Sequence, residues 1–339
     1  MDVDLVGARI LSAAALRMQR GMGRDRLRAA VADGTMIVAH RGWYVDAATW
    51  AGWFIEQRHA ARAIATARAM REGDVVLSHT SAAVLWGLPL YRYHPQRVHV
   101  SGPTAHGVVA GRAVARHDLS VEGDRDAVSG IPVTGLARTV ADLIGRLPLQ
   151  SAVALADAAL HLVAWDDSVR KYDDMAAELL RVEVGTRSAL RNGARGVIQA
   201  RWVLGFADGR AESTLESVSR LNLHLLGFAP PRLQVRVPHD CGYYDIDLGL
   251  DDVDVWAEVD GKAKYADAAQ PDGADARAVV LAEKRREDDI RGRTGRRVIR
   301  WDADDLRDLE AFRRRLASFG VRPPGGPVVP PPTFSRGRP

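Results

Sequence analysis

Two short stretches of this 339-residue chain carry the residue types that hydrolytic chemistry on phosphate needs. The first is Tyr243-Tyr244-Asp245-Ile246-Asp247-Leu248. The second is Val255-Trp256-Ala257-Glu258-Val259-Asp260-Gly261-Lys262-Ala263-Lys264-Tyr265. Side chains alternate faces along a strand. The first stretch then shows Tyr244, Ile246 and Leu248 on one face, with Asp245 and Asp247 on the other. In the second, Val255, Ala257 and Val259 are the apolar set, and Glu258, Asp260 and Lys262 point the opposite way. Two adjacent strands would gather carboxylates on one face with an ammonium group at its edge. Crowded carboxylates repel unless a positive charge sits among them. Mg²⁺ or Mn²⁺ is the natural neutraliser, because hard cations prefer oxygen ligands. Such an ion can polarise a phosphoryl oxygen and acidify an attacking water, and a nearby lysine can stabilise the charge that develops.

The elements that must hold these groups follow from periodicity. The pattern predicts a helix over 212–226, with Leu215, Val218, Leu221 and Leu225 inward, ended by Gly227 and Pro230-Pro231. It predicts strands over 233–237, 243–248 and 253–259, then a charged helix over 277–293. A strand over 297–301 follows, and Asp302 is placed to cap a last helix reaching Phe319. Residues 277–300 hold nine Lys/Arg against four Asp/Glu, whereas 240–275 hold eleven Asp/Glu against two lysines. An acidic pocket beside a basic strip suits a nuclease, the strip gripping phosphates while the pocket cuts. Lys284, Arg285 and Arg286 are the candidate phosphate contacts there. Trp301 reads as core.

Ser213-Thr214-Leu215-Glu216-Ser217, the strand bearing Asp247 and the string Glu258-Val259-Asp260-Gly261-Lys262-Ala263-Lys264-Tyr265 resemble the very-short-patch-repair (Vsr-like) endonucleases of the PD-(D/E)XK group. The helix Glu283–Asp289 and the segment Gly295–Trp301 are also similar, so the resemblance covers roughly residues 210–310. It implies a restriction-endonuclease-like α/β domain in which Glu216 is the acid of the first helix. Asp247 and Glu258 would be the principal metal ligands, with Asp260 assisting. The lysine position departs from the family pattern: Asp260 stands where the lysine is due. Lys262, Lys264 and Lys284 all remain candidates.

The first fifty residues have a different character. A helix is expected over 7–20, broken by Gly21-Met22-Gly23, with a second over 24–33. Two strands follow within 36–45, joined by a tight turn at Arg41-Gly42. Helix, helix and hairpin in that order are the layout of a winged helix-turn-helix. Residues 8–50 resemble the N-terminal domain of AbiEi-type antitoxins, on Arg24-Asp25-Arg26-Leu27-Arg28, Gly34-Thr35-Met36-Ile37-Val38 and His40–Val45. The likeness extends loosely through Ser78–Ala83, Val98–Ser101 and Arg138–Leu143. It implies DNA contacts by Arg24, Arg26, Arg28 and, from the wing, Arg41. A long helix is expected over 50–72, and mixed α/β structure from there to about 195. His79 and His99 read as structural, and the ten histidines show no His-x₃-His zinc spacing.

The overall expectation is a multi-domain α/β protein. Its parts are a winged helix-turn-helix over 1–50, a mixed linker or sensor region over 51–200, a nuclease-type domain over 205–320 and a disordered Pro/Arg-rich tail over 321–339. Hydrophobic residues make up 47% and charged residues 27%, which fits a globular protein. No apolar run is long enough for a membrane span. The acidic Met1-Asp2-Val3-Asp4 start lacks the basic region of a signal peptide. Cys241 is the only cysteine, which excludes an internal disulfide and fits the cytoplasm. The net charge of +4 leans towards polyanions. The function expected is a DNA-binding protein with a Mg²⁺-dependent endonuclease domain. The alternatives are an antitoxin-like regulator that grips DNA, a cognate toxin or a second copy without cutting, and an RNA nuclease.

Overall fold

A computed structural model describes residues 2–70, 76–102, 111–118, 120–189, 193, 195–261 and 273–333, without the side chains of 273–280. The architecture is mixed α/β in two compact units. One is built from Leu155 and the residues before it with Leu179–Arg201, the other from Ala156–Glu178 with Trp202–Pro332. Among the described residues no helix is long and apolar enough to cross a membrane.

The first unit opens with helix Val3–Ala8, strand Leu11–Ser12, helix Ala13–Arg20 and helix Arg24–Ala32. The single helix expected over 7–20 is therefore interrupted. Ser12 explains the break: its hydroxyl accepts from Ala15 N at 3.0 Å and caps a new helix, while Leu11 and Ser12 pair with Tyr44 and Trp43. Strands Met36–His40 and Trp43–Asp46 form the expected hairpin, and Gly42 takes φ +84° at its turn. Leu16, Leu27, Ala30 and Met36 make the small core beneath it. The long helix expected over 50–72 is two, Ala47–Gly52 and Ile55–Ala69. Gln57 reaches back to accept from Phe54 N at 2.9 Å and starts the second.

Beyond these lies a five-stranded sheet in the order Val114–His117, Val98–Ser101, Val76–Leu77, Ile131–Thr134, Arg125–Val128. Its three later strands are short and partly polar, which hides them from periodicity. In the Arg138-Thr139 segment the roles are structural. Arg138 pairs with Asp142 at 3.1 Å and with Asp124 at 2.9 Å, and the Thr139 hydroxyl donates to Thr134 O.

The second unit runs helix Thr214–Leu226, strands Arg232–His239, Gly242–Leu250 and Val255–Asp260, helix Gly273–Thr294, strand Arg297–Asp302 and helix Leu309–Ser318. The first three strands are successively antiparallel. The fourth lies parallel to Val255–Asp260 after the helical crossover. Ser213 caps the first helix and Gly227, at φ +99°, ends it. The last helix starts later than expected. Asp302 accepts from Asp304 N and Asp305 N and opens a short 3₁₀ turn, leaving Asp308 as the true cap. Within the segment expected to be disordered, Gly325 N donates to Gly227 O and Val328 N to Leu225 O. A Cβ on Gly227 would lie 2.4 Å from Gly326 O, so this close backbone approach requires glycine.

Trp301 is fully buried, donates to Ser219 Oγ at 2.7 Å and meets Phe312 edge-on. Next to Ser219 in the chain, Arg220 of the first helix donates from Nη2 to both carboxylate oxygens of the fully buried Asp157, at 2.8 and 2.7 Å, and from Nη1 to Phe206 O. Asp208 N also donates to Asp157. Removing one partner of such a pair strands a buried charge, at a cost of about 3–5 kcal/mol. Urea unfolding of the Asp157→Ala chain is expected to show a loss of that order. The double change Asp157→Leu with Arg220→Met is expected to cost clearly less, and equal losses would mean the pair is not what the site depends on.

Candidate active site

Register brings the two acidic stretches together. Leu250 pairs with Val255, Gly249 with Trp256 and Leu248 with Ala257. The ladder ends there, and Val259 N donates to Asp247 Oδ2 at 2.8 Å. On the other side, Glu258 pairs with Arg300 and Asp260 with Asp302 across the parallel ladder.

The simple alternation expected for Tyr243–Leu248 does not hold. Val235 and the Trp256 ring both crowd the position a Cβ on Gly249 would take, so they share a face. Ile246 is paired with Val235, and Tyr244, Ile246 and Trp256 pack in one cluster with Ile290 of the charged helix. Leu248, paired with Ala257, must face the other way. Tyr244 and Ile246 therefore do not share a face with Leu248. The strands change face at Asp247 and its neighbour Gln234, whose φ is +48°. The change of face falls where the pairing with Val255–Asp260 ends.

These elements line a cleft of about 710 Å³ that includes Arg170, Gln234, Asp247, Glu258, Asp260, Lys284 and Arg300. Glu216 is buried at 4% exposure. It accepts from Glu212 N at 3.0 Å and from Nε2 of the lining Gln234 at 2.9 Å. Burial, and then the negative charge of Asp247, push its pKa up to about 7. Glu258 is balanced in the opposite sense. Arg286 donates to its Oε1 and Arg300 to its Oε2 at 2.8 Å. Arg300 also pairs with Glu283 and with Glu287 at 3.0 Å. Arg286 spans further, to Asp245 O at 2.8 Å and over the Tyr244 ring, whose hydroxyl donates to Asp289. At the other edge, Arg170 pairs with Glu212 at 2.8 Å and Asp245 at 3.5 Å.

Of the residues singled out in the sequence, Glu216, Asp247, Glu258, Asp260, Lys284 and Arg286 come together here. Lys262 and Lys264 lie outside the described residues. Arg286 does not present itself to solvent as a simple phosphate contact, because its guanidinium is turned onto Glu258 and Glu283. Lys284 and Arg285 are exposed. Arg24, Arg26 and Arg28 are exposed on their helix and Arg41 is exposed at the hairpin turn, all in the other unit. Arg170, Gln234 and Arg300 were not singled out as site residues. For Arg300 a signal existed: a strand parallel to the Glu258 strand sets an arginine beside that glutamate. Arg170 is far away in sequence and carried none.

The donor set answers partly to a hard cation. Glu216 and Asp247 are two carboxylates whose mutual repulsion an ion would relieve. Both oxygens of Glu258 are spent on guanidinium groups. Among the described residues, Glu216, Asp247 and Glu258 do not bring three oxygens within 4.8 Å of one another; three histidines elsewhere meet that distance with their nitrogens.

Two uncharacterised proteins from strains of Mycobacterium tuberculosis, MT2308 and Rv2248, are each 31% identical over 144 residues, 42% of this chain. The match spans 48% of each, so the chain covers about half the length of the curated relatives it matches. The crystal structure of the RV2827C protein from the same species is similar at 16% identity and a TM-score of 0.30, over 60% of this chain and 79% of that one. A likeness that slight carries no argument about fold or function. No family model matches the chain.

The Glu216 site makes stability depend on pH. Its folded pKa, about 7, lies above the ordinary 4.5, so between these values the folded chain keeps a proton that the unfolded chain has lost. The group's contribution is full below pH ~4.5, falls as pH rises towards ~7 and is flat beyond. At about 1.4 kcal/mol per unit the fall is on the order of 3 kcal/mol. Thermal unfolding between pH 5 and pH 8 is expected to show this decline in the parent chain and little of it in Glu216→Gln. Parallel curves for the two would rule out the raised pKa.

Proposed function

We propose that the second unit binds a nucleic-acid backbone and hydrolyses its phosphodiester bonds with Mg²⁺ or Mn²⁺. The observation that carries this reading is the pairing of Asp247, on the cleft wall, with buried Glu216, whose carboxyl is pushed towards neutrality by burial and then by the charge of Asp247. Helix, three antiparallel strands, crossover helix and parallel strand, with acids on the first helix and the second and third strands, also agree with the Vsr-like resemblance. Asp247 and Glu216 would hold the ion, and Glu258 would join only by releasing an arginine. When bound, the ion supplies polarisation of a phosphoryl oxygen and a more acidic water.

The chain's own groups have separable tasks. Lys284, exposed on the cleft wall, supplies positive charge that attracts and orients phosphate. Gln234 Nε2 and the Glu212 amide both donate to Oε2 of Glu216 and fix its carboxylate. Asp247 is held by the Val259 amide, which fixes its carboxylate on the cleft wall. Exposed Arg24, Arg26, Arg28 and Arg41 suit backbone contacts by a winged helix-turn-helix in the first unit.

A second reading has its own support. The two guanidiniums on Glu258 stabilise that carboxylate without any metal, as expected of a module that grips DNA or a toxin partner and does not cut. Supercoiled plasmid incubated with the chain and Mn²⁺ or Mg²⁺ separates the two. The hydrolase reading expects nicking that chelator abolishes and that Asp247→Asn reduces at least about 100-fold, the scale of losing one group that stabilises the transition state. Tight, salt-dependent binding with no nicking would overturn it in favour of the regulator.

A further inference from the structure

Three histidines converge in the first unit, far apart in sequence and independent of the acidic cleft. His79 opens helix His79–Leu85, His99 lies within strand Val98–Ser101 and His117 ends strand Val114–His117. Those two strands run parallel and adjacent, and Ser78 N donates to His99 O, which draws the start of the helix over the same edge. Each ring offers one nitrogen such that the three lie within 4.8 Å of one another. His99 Nδ1 is 2.9 Å from His117 Nε2, and His79 stacks on His117 at 4.0 Å between centroids.

We propose that His79, His99 and His117 bind one divalent transition-metal ion of the zinc class through their imidazole nitrogens. Zn–N bonds of about 2.0–2.1 Å in a tetrahedral sphere set neighbouring nitrogens roughly 3.3 Å apart, a spacing the three nitrogens approach, and the stacked rings turn on binding to aim their in-plane lone pairs at one ion. The surroundings are those of an imidazole ligand. A metal-bound histidine has its second nitrogen fixed by a hydrogen bond. His79 Nδ1 is engaged by Ser78 Oγ at 3.1 Å, and Ser78 Oγ in turn accepts from Ser101 Oγ at 2.8 Å. That leaves Nε2 as the ligating atom of His79. Ser81 Oγ accepts from His99 N and contacts His59 Nε2, fixing the strand from beneath.

Backbone geometry agrees. His79 sits at φ +51°, a left-handed conformation uncommon for residues other than glycine. His79 is buried, while His99 and His117 are half-buried, which leaves one side open for entry of the ion and for a fourth ligand. Imidazole donors select zinc, cobalt, nickel or copper over magnesium. The site is therefore chemically distinct from the carboxylate cleft.

The test uses the full chain without an affinity tag, stripped with chelator and titrated with Zn²⁺ and, separately, Co²⁺. One equivalent of each metal should bind, Co²⁺ giving the intense visible absorption of a tetrahedral site. His99→Gln and His117→Gln should each weaken binding by about tenfold or more with unchanged far-UV circular dichroism. X-ray absorption at the zinc edge of the unmutated, loaded chain needs no variant and should count three imidazoles. No retained zinc above a chelator-treated control, binding unaltered by both substitutions, or fewer than three imidazoles would overturn the proposal.

Discussion

The acidic cleft exists only because its carboxylates are balanced unevenly. Glu258 has Arg286 and Arg300 on its two oxygens, and Arg300 is shared with Glu283 and Glu287. Burial disfavours the Arg300 charge, yet the surrounding carboxylates, Glu258 foremost, outweigh it and raise its pKa. One corner is thus saturated with positive charge. At the other corner, Glu216 and Asp247 have hydrogen-bond donors, from Gln234, Glu212 and Val259, but share a like-charge repulsion. Amide donors soften a carboxylate's charge without cancelling it, so the burial cost falls on Glu216. The distinction between the two corners gives the cleft its character.

Backbone geometry produces that unevenness. Had strand Gly242–Leu250 alternated regularly, Asp247 would have shared the face of Asp245 along the whole strand. The change of face at Gln234 and Asp247 instead turns Tyr244 and Ile246 onto Ile290 and the charged helix. That same helix carries Arg286 to Glu258, and Glu283 and Glu287 to Arg300.

The sequence made some of this legible. The strands bearing Asp247 and Glu258, the helix bearing Glu216 and the parallel strand with Arg300 are all readable from period and punctuation. Their order is enough to bring the acids to one sheet. The bend was hidden, because a left-handed Gln234 looks no different from any strand residue. Arg170 was hidden because its pairing with Asp245 joins positions 75 residues apart. Ser12 could have signalled the helix break, since a serine before an alanine run is a capping pattern. The histidine cluster defeated spacing rules for the same reason as Arg170. Its members belong to three separate elements, and no local motif announces a site assembled by strand order.

Two ligand chemistries therefore occupy separate units: oxygen donors suited to a hard cation in one, and imidazole nitrogens in the other. The claim about the cleft rests on Glu216 being a carboxyl kept near neutrality by burial and by Asp247. Carbon-13 NMR titration of selectively labelled glutamate side chains, with Glu216→Gln to assign the signal, measures this directly. The account requires a midpoint near 7 that drops in Asp247→Asn, whereas a midpoint near 4.5 in both chains would contradict it.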